Sequence, residues 1–221
     1  MDGTLELILR EERVMLHPAR ALLWPARATL IVADTHFGKD DVFRRAGIPL
    51  PRGPAITDLQ RLSGLIRSYR CQRLIILGDF VHGATQSGDD FLHAFALWRR
   101  AHAQLTLEVI AGNHDRRENP QHWQGYIRWH RSEVSEPPFV LAHHPADSAA
   151  GYVLAGHVHP VLRMQRRHGG ARVPVFWRRP GHLVLPSFGS LTGGMNISPA
   201  PDDSVYLAAP EAVMSFRDDG R

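Results

Sequence analysis

The chain is poor in cysteine: Cys71 is the only one in 221 residues. A lone thiol cannot close an intramolecular disulfide, so no disulfide framework exists and a reducing compartment is expected. Long apolar runs are also lacking. None approaches the roughly 20 residues needed to cross a bilayer, which excludes a membrane helix. The first residues lack the charged-then-apolar layout of a secretion signal, so the cytoplasm is the expected location. Neither charge sign is strongly short, and a net charge of +4 hints only mildly at an anionic partner. Internal repeats, low-complexity tracts, helix-turn-helix patterns and zinc-finger patterns are absent as well. The last two absences argue against reading of a specific base sequence.

What is present is an ordinary globular balance, 43% hydrophobic and 22% charged, with an unusual fourteen histidines. That length supports a single α/β domain spanning residues 1–221. Short apolar pieces at 5–9, 14–16 and 21–24 read as an antiparallel meander. Three buried-strand patterns follow, at 28–33, 74–77 and 105–111. They alternate with helical patterns at 54–69, where Ile56, Leu59, Leu62, Leu65 and Ile66 share a face, and at 89–102. The stretch 44–52 reads as a polar connection, and 116–135 as a helix-containing excursion. Further strands are expected at 139–142 and 152–155, then at 161–164, 173–177, 182–185, 205–207 and 213–216. The Ser/Gly-rich stretch 187–194 reads as a turn, and the tail from 215 as frayed.

The histidines and carboxylates collect where apolar runs end. Asp34 and His36 follow the first buried strand, Asp79 and His82 the second, and Asn113-His114-Asp115 the third. His143-His144 and His157-x-His159 follow the two later ones. Ligands gather beyond the carboxyl ends of strands in open α/β sheets. Asp-x-His and His-x-His spacings put two side chains on one side of an extended segment. Two carboxylates, one amide and four imidazoles, Asp34, His36, Asp79, Asn113, His143, His157 and His159, exceed what one open ion needs. They suit two ions sharing a carboxylate. The donor chemistry favours manganese, iron or zinc over a site built for magnesium or calcium alone. His143 is preferred to His144 because it directly follows its strand.

Asp34-x-His36, Gly78-Asp79-x-x-His82, Gly112-Asn113-His114-Asp115, His143 and Gly156-His157-x-His159 resemble the calcineurin-like metallophosphoesterase superfamily. Residues 33–39, Phe43-Arg44-Arg45-Ala46-Gly47-Ile48-Pro49, Gly53 and His143-His144-Pro145 are similar to its DNA-ligase-associated (PdeM-type) branch. The resemblance implies a four-layer α/β/β/α sandwich of two packed mixed β-sheets with flanking helices. It implies two divalent ions, manganese foremost. Asp34, His36 and His159 would hold one, Asn113, His143 and His157 the other, and Asp79 would bridge them. Asn113 would also orient the phosphate, and His114 would protonate the leaving oxygen. His82, Lys39 and Arg116 are candidate phosphate-contacting or supporting groups.

Between residues 163 and 179 stand Arg163, Arg166, Arg167, Arg172, Arg178 and Arg179 with no acid, interleaved with aromatics. That pattern suits a nucleic-acid backbone, or equally a solvated hairpin of a basic protein. The expected activity is therefore DNA phosphodiester hydrolysis, endonucleolytic and favouring single strands, in repair. An association with a DNA ligase or helicase is implied by the branch. A phosphodiesterase for cyclic nucleotides or other small molecules is the alternative, and a non-catalytic scaffold of the same fold a remote one.

Overall fold

The structure is a computed structural model that describes residues 2–118, 123–166 and 169–216, with the side chains of 117, 165, 166 and 169 outside the description. Its strands are β1 (Leu5–Leu9), β2 (Glu12–His17), β3 (Ala21–Trp24), β4 (Thr29–Val32), β5 (Arg73–Leu77), β6 (Thr106–Ile110), β7 (Arg128–His130) and β8 (Val134–Glu136). They continue as β9 (Phe139–Leu141), β10 (Tyr152–Ala155), β11 (Pro160–Arg166), β12 (Gly169–Arg178), β13 (His182–Val184), β14 (Met195–Asn196), β15 (Ser204–Ala208) and β16 (Val213–Phe216). The helices are α1 (Lys39–Arg45), α2 (Pro54–Ser68) and α3 (Asp90–Ala101).

Two mixed sheets result. The first runs β1 to β7 in chain order, antiparallel through β4 and parallel from β4 to β7. The second has the order β14-β11-β12-β13-β10-β9-β8, with β15 and β16 branching from β12. Its β9, β10 and β13 are mutually parallel.

Strand periodicity explains how the layers meet. In β4 and β5, Leu30, Val32, Leu74 and Ile76 point to one side, where α2 and α3 bring Leu59, Leu62, Phe91 and Phe95. Ile31, Ile75 and Leu77 point to the other and meet Phe139, Leu154, Phe176 and Leu183 of the second sheet. Both faces are apolar because both are covered, so these strands read as continuous apolar runs rather than alternating ones. Trp24, Trp98 and Trp123 are buried.

One position between the sheets is charged. Glu108 of β6 is buried, accepting from Arg73 Nε and bonding His130 Nε2, each at 2.7 Å, while Arg73 also pairs with Glu136 of the second sheet. This network ties the sheets together at the end where the parallel strands begin.

Several sequence expectations need correction. The stretch 44–52 read as a connection begins inside a helix, since α1 extends to Arg45. The excursion after 116 carries a 3-10 turn at His114–Arg117 and the strands β7 and β8, with no α-helix among the described residues. Ser215 and Phe216 belong to β16, whereas residues 217–221 lie outside the described residues.

Candidate metal centre

The parallel strands of both sheets run so that their carboxyl ends converge. The seam is built from backbone: Asp34 N–H donates to Gly78 O (3.1 Å), His36 N–H to Asp79 O (2.8 Å), and Gly156 N–H to His143 O (3.1 Å). Between the sheets, Ala33 bridges Ser187, Phe188 N–H donates to Ala33 O (2.8 Å) and Ser187 Oγ donates to Asp34 O (2.8 Å). The stretch read as a mere turn thus lies against the site. Arg20 Nη1 holds Ser187 O at 3.1 Å, Arg61 stacks on Phe188 at 3.8 Å, and Asp58 accepts from Ser190 N–H at 2.9 Å. No local sequence pattern announces these contacts, because every partner is remote in the chain.

Backbone conformation at the site is unusual. Asp34, His36, Asp79, His157 and His159 all have φ between 44° and 69°, a region costing a non-glycine residue about 1–2 kcal/mol. The turns fold side chains back toward a common point, and surrounding hydrogen bonds hold them there. Gly78 (φ 81°) is packed so closely against the His143 ring that any Cβ would collide with it. A Cβ at Gly156 would stand 2.6 Å from Asp34 Oδ2.

At that point the donor atoms gather. Ligand-capable atoms of Asp34, His36, Asp79 and His159 lie within 4.8 Å of one another, as do those of His143, His144 and His157, and those of His36, His82 and His114. Asp79 reaches both sides: Oδ2 is 3.7 Å from His36 Nε2 and Oδ1 is 3.6 Å from His143 Nε2. His143 Nδ1 sits 3.2 Å from the Leu77 carbonyl and so carries a proton, leaving Nε2 bare and 3.1 Å from His157 Nδ1. Asp34 Oδ2 accepts from His157 N–H (2.9 Å). Its Oδ1 is buried and has no hydrogen-bond partner among the described residues, yet lies 3.5 Å from His159 Nε2 and 3.6 Å from His143 Nδ1.

These observations fit metal ions. A buried carboxylate oxygen without a donor costs about 1–3 kcal/mol or more. Two donors bound to one ion by bonds near 2.1 Å stand about 3–3.5 Å apart, close to the separations found here. Burial pushes the His143 imidazole down to about 4, and burial together with His159 takes His36 well below the usual range; His157 is also lowered. The rings are therefore neutral at pH 7, the state that binds metal. Asp34 is pushed up to about 6 by burial, partly opposed by His159, as expected for a carboxylate awaiting a cation.

The remaining sequence candidates fall into place around this cluster. Asn113 is exposed, and its Oδ1 accepts from His144 Nε2 at 2.9 Å; the His144 ring is 4.1 Å from that of His157. His143 is buried between the carboxylates while His144 is exposed. His114 donates its N–H to Asp79 Oδ1 (2.9 Å), and its Nδ1 is 2.7 Å from His82 O. His82 Nδ1 is 3.3 Å from His36 Nδ1. Asp115, absent from the candidate list, binds the N–H groups of Gly112 (2.8 Å), Val81 (3.1 Å) and Phe80 (3.2 Å), locking two strand exits together.

Beside the cluster opens a cleft of about 610 Å³, lined by His36, His82, His114 and His159 with Lys39 and Arg172. Arg116 is exposed and does not line it. Arg163 is exposed and pairs across the hairpin with Arg172. Arg178 and Arg179, at the far end of β12, are engaged elsewhere: Arg178 with Tyr206 and Tyr152, Arg179 with Asp203 at 3.3 Å and over Trp177. Arg167 and the Arg166 side chain lie outside the described residues.

No family model matches the chain, and no curated protein does. Among solved structures, the Pseudomonas putida nuclease MPE is 34% identical, with 96% of this chain and 100% of that one covered, at a TM-score of 0.84. The phosphoesterase YfcE from E. coli is 14% identical, with 84% of this chain and 96% of that one covered, at a TM-score of 0.46, a likeness too weak to carry an argument.

Proposed function

The chain belongs to the metallophosphoesterase family of the Pseudomonas putida nuclease MPE, and from that premise we propose that it hydrolyses DNA phosphodiester bonds as an endonuclease, favouring single strands. It is a phosphoester hydrolase with a centre suited to divalent ions. The DNA substrate, the strand preference and manganese as the working metal are the finer reading. The repair context and any association with a ligase or helicase rest on the branch resemblance alone.

The observation that carries the reading is the pair of donor sets joined through Asp79, with His114 held beside them at the cleft. Asp34, His36 and His159 would hold one ion, and Asn113, His143 and His157 the other, with Asp79 between. Ions bound there supply Lewis acidity: a water acidic enough to attack near neutral pH, and positive charge against the phosphoryl oxygens.

The protein's own groups do the rest. Asp79 is fixed by the His114 N–H and Asp34 by the His157 N–H, so the carboxylates meet the substrate already oriented. Asn113 presents an amide to the phosphate. His114, as imidazolium, gives its Nε2 proton to the leaving alkoxide, which is too basic to depart unprotonated. His82 contacts both rings, its Nδ1 lying 3.3 Å from His36 Nδ1 and its carbonyl accepting from His114 Nδ1.

The test is a metal panel with a circular single-stranded DNA, run beside an aryl phosphodiester and the matching monoester. Nicking of the circle, strongest with manganese, is expected. Hydrolysis of the aryl diester alone would instead identify a small-molecule phosphodiesterase.

A further inference from the structure

We infer that Lys39 and Arg172 form a two-sided clamp for the phosphates that flank the scissile one, which makes a polynucleotide strand, rather than an isolated diester, the substrate the cleft is built for. The inference rests on the reading of the site as a DNA phosphodiesterase.

Lys39, the chain's one lysine, opens α1 and lines the cleft beside His36, His82 and His114. Burial lowers its ammonium from the ordinary value. Among the described residues no carboxylate pairs with it. Its acidic neighbours Asp40 and Asp41 are both taken by Arg44. A partly desolvated cation next to an imidazole cluster and a cationic centre is unfavourable until an anion arrives.

Arg172 borders the same cleft from a different element, β12 of the second sheet. Its Nη2 donates to Gly194 O, so one edge of the guanidinium is anchored and the remaining donors have no hydrogen-bond partner among the described residues. It too has no carboxylate partner among the described residues. Arg163 is its direct cross-strand neighbour on the same face, and a Cβ at Gly170 would stand 3.3 Å from Arg163 Nε. The lining of the cleft contains no acidic residue, although Asp34 and Asp79 lie just beneath it. Cations from α1 and from β12 lining one cleft, beside a centre that would hold divalent ions, match a run of successive phosphates, since backbone contacts by Lys and Arg fix a strand without reading its bases. A diester with one phosphate fills only the centre.

The experiment compares wild type with Arg172→Gln and Lys39→Gln on a single-stranded oligonucleotide and on bis(p-nitrophenyl) phosphate. Oligonucleotide binding is also measured by anisotropy across a salt series. Each substitution is expected to lower kcat/KM for the strand about tenfold more than for the aryl diester. Each should also reduce the slope of log affinity against log salt by about 0.7. Arg172→Lys should restore most of the slope, which a merely structural role would not do. Equal losses on both substrates with an unchanged salt slope overturn the clamp. A wild type that cleaves the aryl diester yet neither binds nor cuts the strand overturns the DNA reading itself, and the clamp with it.

Discussion

The backbone carbonyl of His82 accepts the Nδ1 proton of His114 across 2.7 Å, while the two rings stack with centroids 4.7 Å apart. A carbonyl can only accept, so Nδ1 of His114 is always the protonated nitrogen and Nε2 is the one that exchanges a proton. To act as an acid the ring must therefore be an imidazolium. His114→Ala is expected to lower DNA hydrolysis by about 10²–10⁴-fold while its metal content, read by elemental analysis, stays that of wild type. The loss on an aryl diester should be much smaller, because a phenolate leaves without a proton. Metal loss equal to the activity loss would make His114 a structural residue.

Asp79 reaches toward both donor sets, so its carboxylate would be shared by ions bound there. Asp79→Asn is expected to empty both sites, whereas His157→Ala should weaken one. Stripping wild type with a chelator should abolish activity and lower the unfolding temperature. Restoring free ion to 100 times its Kd should return about 2.7 kcal/mol of stability. Calorimetry with and without manganese measures this, and an unchanged unfolding temperature would contradict it.

Gly156 leaves no room for a side chain, with Asp34 Oδ2 2.6 Å and Leu77 O 2.8 Å from where a Cβ would sit. Gly156→Ala is expected to cost about 1–3 kcal/mol of stability through overpacking and to displace the Asp34 carboxylate. Metal affinity should fall although no ligand has been changed. Retention of wild-type affinity in isothermal titration would show that the strand exit yields.

Burial raises the Glu108 carboxyl, but Arg73 and His130 more than compensate, so its net pKa is lowered. A folded-state pKa below the unfolded value stabilises the fold above the unfolded pKa, about 4.3. That contribution is lost as pH falls through the lower folded value. Glu108→Gln is expected to destabilise by about 3 kcal/mol at pH 7, the low end for breaking a buried pair, since Arg73 keeps Glu136. The deficit should narrow on acidification below pH 4. A deficit independent of pH, followed by chemical denaturation, would mean that packing rather than charge holds this position.

The gathering of candidate donors at strand exits was legible because its two determinants are local: an apolar run that must be a strand, and polar residues spaced by two at its exit. Other features were not. Residues 39–45, Lys-Asp-Asp-Val-Phe-Arg-Arg, carry no apolar stripe. Helix α1 is held instead by Arg44 reaching Asp40 and Asp41. Strand β7 is three residues long, and the tryptophan-containing stretch around it suggested a helix, whereas no α-helix occurs there among the described residues. The six arginines of 163–179 looked like one patch because they are close in sequence. Arg172 and Arg178 stand toward opposite ends of the ten-residue β12, and among the described arginines of the group only Arg172 borders the cleft. The role of Ser187 and Phe188 depends wholly on long-range pairing with Ala33, which no window of sequence contains.

The bridge from Ala33 to Ser187 also sets the order in which the molecule can be made. It joins residues more than half the chain apart, and the donors come from exits of both sheets. No early fragment can assemble the centre, because non-local pairings form only after their loop-closure entropy has been met. Three of the seven donors, His143, His157 and His159, follow strands of the second sheet and join the others only when that sheet docks. Tight metal uptake would thus be a property of the finished fold, and the rate at which a refolding chain captures a divalent ion would report the docking of its two sheets.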